Sequence, residues 1–164
     1  MVRSKRSDYK KAVIFSFDLN DGFLDAELTP GDSTSVSPSI YCNSTESMYG
    51  FMKLTMTLVG SGDPLYTYKV NDDWVLIEEN ELGNRTRKEF IYAYADDDGL
   101  IPLFPGDTTP TLTDSLKMRS MSIPDYAYIG DINVELIGAT IQTEGESTDP
   151  LAAWAECKQY GVGL

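Results

Sequence analysis

The stretch "MKLTMTL" occupies residues 52–58. Met52, Leu54, Met56 and Leu58 fall at every second position, with Lys53, Thr55 and Thr57 between them. A period of two is that of an extended strand, whose side chains alternate between two faces. A helix would repeat its apolar positions every three or four residues. The threonines on the polar face also fit a pleated surface. The stretch is therefore a half-buried strand, and the same period recurs outward from it in both directions.

Downstream, "KEFIYAYAD" (88–96) alternates Phe90, Tyr92 and Tyr94 with Ile91, Ala93 and Ala95. Both faces are apolar, so this run reads as a central strand. "LYTYKV" (65–70) and "WVLIEE" (74–79) flank the turn cluster "NDD" and read as a hairpin. Upstream, "KAVIFSFD" (11–18) and "FLDAEL" (23–28) flank "LNDG" in the same way. "VSPSIYC" (36–42) carries Pro38, which lacks an N–H and suits an edge or irregular strand. In "DINVELIGATIQ" (131–142), Ile132, Val134 and Leu136 share one phase, while Ile137, Ala139 and Ile141 share the other. A β-bulge at Ile137–Gly138 would restore a single apolar face.

One helix is predicted, near residues 150–159. Asp149 is placed as N-cap, Pro150 in the first turn and Gly161 as the stop. The spacing predicts packing through Leu151 and Trp154. About nine short strands and one helix in 164 residues give an all-β, jelly-roll-like β-sandwich.

The chain writes one turn twice: "LTPGDST" (28–34) and "LFPGDTT" (103–109). Pro presets φ and Gly supplies positive φ, so Pro30-Gly31 and Pro105-Gly106 predict type II turns. Asp32 and Asp107 are then placed to accept backbone hydrogen bonds. Two equivalent corners suit a sandwich of two similar halves, and the repeat is read as architecture rather than chemistry.

The 41% apolar and 24% charged residues are ordinary for a globular chain, and the length suits one domain. The net charge of −13 argues against nucleic acid as partner, since backbone binding needs a basic face. The charge is uneven: Arg3, Lys5, Arg6, Lys10 and Lys11 cluster at the start, and 25 acids against 8 bases follow from residue 12. Residues 1–10 read as a basic arm, disordered or tag-derived, and residues 11–164 as the single domain. No apolar run is long enough to span a membrane. The opening segment does not read as a signal peptide, so a cytosolic, virion-borne or mature secreted chain is expected. Cys42 and Cys157 are expected to be free and buried.

No catalytic residue is assigned. Without histidine there is no Ser-His-Asp or Cys-His nucleophile, and the usual zinc sites are missing. No phosphate-binding glycine loop occurs. "DLNDG" (18–22) and "ADDDG" (95–99) lack calcium-loop spacing and read as acidic turns. No metal or cofactor is expected, and the chain is read as a non-enzyme. Asn43 and Asn84 head glycosylation sequons. The 18 aromatic residues are expected to fill the core more than to form a sugar platform.

Three segments, "LTPGDSTSVSPSIYCNSTESMYGFMKLTM" (28–56), "LFPGDTTPTLTDSLKM" (103–118) and "INVELIGATIQTEGESTDPLAAWAE" (132–156), resemble the TasA/camelysin-type secreted biofilm matrix fibre proteins. Thr140, Ile141, Gln142 and Gly145 match the end of that family's closing strand, and Ala152, Ala153 and Trp154 match its helix. Glu146 stands where the family prefers an aromatic, and "MVRSKRSDYKK" replaces its usual leader. The resemblance implies a jelly roll, secretion or cell-surface location, and self-assembly through a donated N-terminal strand. Lys10, Lys11, Ala12, Val13, Ile14, Phe15 and Phe17 are the candidate partner-binding residues, with another copy as partner. A virus or phage structural protein and a carbohydrate-binding module are the alternatives.

Overall fold

The structure is a computed structural model that describes residues 29–60, 62–122 and 134–160, together with the backbone of a strand at 12–17. It is an all-β sandwich with one short helix among the described residues. The strands are β1 (Ala12–Phe17), β2 (Ser33–Ser35), β3 (Met48–Thr57), β4 (Tyr66–Thr67), β5 (Trp74–Leu82), β6 (Arg87–Asp96), β7 (Gly99–Leu100), β8 (Ser115–Met118) and β9 (Val134–Gln142), followed by α1 (Pro150–Tyr160). The large sheet runs β1-β9-β3-β6-β5, with β7 paired to β6, and the small sheet runs β2-β8-β4. The pairing is nested: β1 with β9, β2 with β8, β3 with β6, all antiparallel. That is how a jelly roll wraps one folded ribbon into two layers.

The period of two decides which layer each residue serves. Met48, Met52, Leu54 and Met56 of β3 meet Phe90 and Tyr92 of β6, Val134 and Leu136 of β9, and Leu116 and Met118 of β8 between the two sheets. Tyr49 and Phe51 of β3 point the other way, with Ile91, Ala93 and Ala95 of β6. There they meet Ala153, Trp154 and Cys157 of α1. The large sheet is thus covered on both faces at one end. A hydrogen bond between the Tyr68 and Tyr92 hydroxyls (2.6 Å) links the layers inside the first cluster, and burial raises both phenol pKa values.

This two-sided cover corrects the expected bulge in β9. The β3–β9 register runs unbroken from Met48↔Gln142 to Met56↔Val134. Val134 and Leu136 face the sandwich interior, and Ala139 and Ile141 face the helix layer. The phase change reflects a change of partner layer, and needs no extra residue. A bulge does occur in β5, between Leu76 and Glu78.

The expected hairpin at 65–79 is also corrected. β4 belongs to the small sheet and β5 to the large one. The link at 71–73 is a corner between layers, closed by the Trp74 amide donating to Asn71 O (3.0 Å). The Asn71 side chain donates to Thr111 O (2.7 Å), and the Trp74 indole donates to Pro110 O (3.0 Å). These bonds tie the corner to the small-sheet side. Residues 18–28, which include the other expected turn, lie outside the described residues.

In α1, Asp149 caps the helix: its carboxylate accepts from the Ala152 amide (3.1 Å) and its carbonyl from the Ala153 amide (3.0 Å). Leu151 is 52% exposed, so packing through that residue is corrected as well. Ala153, Trp154 and Cys157 form the buried stripe, at i, i+1 and i+4. Gly161 lies outside the described residues.

Candidate assembly strand and its framework

The two Pro-Gly-Asp turns have matching geometry. Gly31 has φ +91° and Gly106 +88°. Asp32 N donates to Thr29 O and Asp107 N to Phe104 O, each at 2.9 Å, which closes both turns around Pro30-Gly31 and Pro105-Gly106. Each aspartate carboxylate also accepts from the first residue of its own turn. Asp32 accepts from the Thr29 hydroxyl (2.8 Å) and amide (3.2 Å), and Asp107 from the Phe104 amide (3.0 Å). These donors, the Thr29 hydroxyl first, hold the Asp32 carboxyl below the usual carboxylate range. The resulting stabilisation is present above the ordinary carboxylate pKa and is lost as pH falls through the lowered value.

Both turns then enter the sheet in the same way. Gly31 N donates to Met118 O (3.0 Å), and Met118 N donates to Asp32 O (2.8 Å). Gly106 N donates to Cys42 O (3.0 Å), and Cys42 N donates to Asp107 O (2.8 Å). In each case two residues, Gly and Asp, oppose one. That is a β-bulge led by a left-handed glycine, the G1 type. Between them, residues 33–42 pair with 108–117 through β2–β8 and then through Val36 N to Asp114 O, Leu112 N to Pro38 O and Thr109 N to Ile40 O. The repeated turn therefore starts both strands of one ribbon from its opposite ends. Pro38 sits in the irregular part of that ribbon, where its missing N–H leaves no ladder bond broken.

Alanine at Gly31 or Gly106 is expected to lower stability by more than about 1 kcal/mol, since the left-handed backbone is strained for any residue with a Cβ. Neither position is crowded: a Cβ at Gly106 meets no atom within 4 Å, and one at Gly31 meets only the Ser120 hydroxyl at 3.6 Å. The loss is thus a pure backbone term. Asparagine at the same positions is expected to recover part of it. Chemical denaturation of the two alanine variants checks this, and a loss below about 0.5 kcal/mol at both would refute it.

The strand singled out for assembly lies at a sheet edge. β1 pairs antiparallel with β9 from Ala12↔Ile141 to Phe17↔Leu136, so Ala12, Val13, Ile14, Phe15 and Phe17 all sit in an unbroken six-residue register. Lys10 and Lys11 lie outside the described residues. Among the described residues β1 has no other strand partner. Its acceptor, β9, is fixed on its far side by the nine-residue register with β3. β9 is also held by both core clusters, so the acceptor edge is a rigid template.

The "ADDDG" segment forms the β6–β7 turn, where Asp96 accepts from the Asp98 amide (2.8 Å). With Ser147, Thr148 and Asp149 it lines an open acidic cleft of about 340 Å3. Among the described residues no group of three or more His, Cys, Asp or Glu side chains converges as a metal site. Cys42 and Cys157 are both free and buried. Desolvation pushes the Cys157 thiol up to about 12, which leaves almost no thiolate at neutral pH. No described helix is long and apolar enough to cross a membrane.

Sequence reading missed one surface. Val75 (39% exposed) and Leu76 (43%) lie on β5, the opposite edge of the large sheet. Their place in an assumed hairpin hid them. The exposed acids that follow in the same strand, Glu79 and Glu81, were the available signal of an outer strand. Tyr41 and Phe104, more than half exposed, sit beside the second turn.

Comparison with protein-family models, with curated proteins and with solved structures returns no match.

Proposed function

We propose that this protein is a non-enzymatic structural subunit of an extracellular fibre or matrix, secreted or held at the cell surface, that assembles by strand donation. The observation that carries the reading is the placement of β1. It is the first described strand, it stands at the end of the described sheet order, and among the described residues its strand partner is β9. Main-chain hydrogen bonds dominate such a pairing, and they do not distinguish a chain's own strand from that of another copy. Exchange of β1 between copies would remake the same register in trans, and repeated head to tail it gives a polymer.

Deletion of residues 1–17 tests the proposal. The truncated chain is expected to form no filaments by electron microscopy and to sediment without polymer where the intact chain assembles. Filaments of unchanged morphology from the truncated chain would sink it. A carbohydrate-binding role is the second reading, favoured by the exposed rings of Tyr41 and Phe104. Saturable binding on a glycan array, lost in Tyr41→Ala, would establish that role instead.

A further inference from the structure

The large sheet has a second edge, β5, with no strand partner on its outer side among the described residues. It carries Val75 and Leu76, two of the five exposed large apolar residues among those described. Acids flank them: Asp72 and Asp73 precede, Glu78, Glu79 and Glu81 follow within the strand, and residues 71–82 contain no base. The bulge between Leu76 and Glu78 divides the apolar half of the strand from the acidic half. Three of these acids have basic neighbours in the same chain, Lys158 to Glu78 (4.0 Å), Lys88 to Glu79 (3.7 Å) and Arg85 to Glu81 (3.4 Å). Such half-exposed pairs contribute little and exchange readily.

We propose that the β5 edge docks residues 10–17 of a second copy, in antiparallel sense. Three arguments fix the occupant and its direction. The segment reads "KKAVIFSF", basic and then apolar, whereas β5 reads "WVLIEENEL", apolar and then acidic. Antiparallel pairing places Lys10 and Lys11 beside the glutamates and the Val13 to Phe15 stretch beside Val75 and Leu76. Parallel pairing would carry the lysines to Asp72 and Asp73, in the corner outside the strand, leave the glutamates of β5 without a base and set Phe17 against Glu79. Self-pairing of two β5 strands about a two-fold axis is disfavoured, because Glu78 would oppose Glu78 and further acids would oppose apolar residues. Finally, a strand has two hydrogen-bonding edges. β1 uses one for β9, and docking at β5 would use the other. The contact is heterologous and continues one sheet into the next copy. It is distinct from exchange of β1 at β9 and stands without it.

Sedimentation velocity of the full chain over a concentration series tests the docking. Leu76→Lys is expected to weaken self-association about tenfold or more, by placing a charge in the apolar half of the edge. Added salt is expected to weaken the wild-type contact. Because Leu76→Lys could disturb β5 itself, a charge exchange supplies a second arm at exposed positions. Lys10→Glu with Lys11→Glu, and Glu79→Lys with Glu81→Lys, are each expected to weaken association, and the two pairs combined to restore it. Asp96→Lys with Asp97→Lys is not expected to rescue the Lys10/Lys11 variant, which separates a contact from a net-charge effect. A wild type that stays monomeric throughout, a folded Leu76→Lys variant that associates like wild type, or rescue by the Asp96/Asp97 pair would each overturn the proposal. Filaments from the Leu76→Lys variant that match wild type would overturn docking and leave strand donation standing. Docking without filaments would do the reverse.

Discussion

Trp154→Ala is expected to lower stability by about 3–5 kcal/mol, a large share of the 5–15 kcal/mol typical of a domain. Trp154 is 2% exposed and its ring centroid lies 5.2 Å from that of Phe51 in a tilted arrangement. It is the largest side chain of the outer cluster, where four of the other members are alanines, Ala93, Ala95, Ala139 and Ala153. Alanines cannot fill the space an indole leaves, so a cavity persists beside Phe51 and adds to the lost burial. Trp154→Phe is expected to cost far less, for a second reason. The indole Nε1 is buried with no hydrogen-bond partner among the described residues, and removing that N–H relieves a desolvation penalty of about 1–3 kcal/mol. Denaturant midpoints at unchanged slope check both values. The Cys157 thiol supplies a local readout: in the alanine variant its alkylation is expected to speed up as α1 opens more often. A loss below about 1 kcal/mol, with alkylation as slow as wild type, would show that α1 contributes little to holding the sheet.

How far the sequence carried depended on whether a feature was local. The period of two in 52–58 and 88–96 gave β3 and β6, because alternation is a property of a strand alone. The capping pattern Asp149-Pro150 gave the start of α1 for the same reason. Four readings needed knowledge of a partner element. The phase change in β9 looked like a bulge because one buried face was assumed, whereas α1 buries the other face at Ala139 and Ile141. Leu151 fitted an i, i+3 stripe with Trp154, but the stripe that meets the sheet is Ala153, Trp154 and Cys157. "NDD" carries a turn signal, and a turn signal does not say whether the chain returns along its own sheet or crosses to the other, as it does here. The two Pro-Gly-Asp turns were legible as turns. Their shared bulge, and their place at opposite ends of one ribbon, depended on Met118 and Cys42, which are 87 and 64 residues away from Gly31 and Gly106. The β1 segment was legible as an apolar β-prone run behind a basic arm, and the place of β5 at the end of the described sheet was not, since that is a property of the sheet.

The last expected result is all-or-none. With Ser16→Cys and Ile137→Cys in one chain, together with Leu76→Lys to remove docking at β5, the oxidised protein should form no filaments, and reductant should restore them. Ser16 and Ile137 are directly opposed in the β1–β9 register. Opposed residues of an antiparallel pair have Cα atoms about 4.5–5.5 Å apart, inside the range a disulfide spans. The native thiols do not compete, because Cys42 and Cys157 are buried in different clusters. Once the bond closes within a chain, β1 cannot leave β9, so donation stops while the fold is untouched. This separates donation from stability, which deletion of residues 1–17 does less cleanly: deletion also strips β9 of the strand that satisfies its outer hydrogen bonds. The cis pairing also sets the concentration needed. A tethered strand competes at an effective concentration of order mM, so exchange is favoured only near that concentration or where β1 is transiently released. Oxidation after assembly should then join copies, giving a ladder of covalent oligomers on non-reducing gels, since the same register is made in trans. Filaments from the oxidised, internally bonded chain would refute strand donation outright.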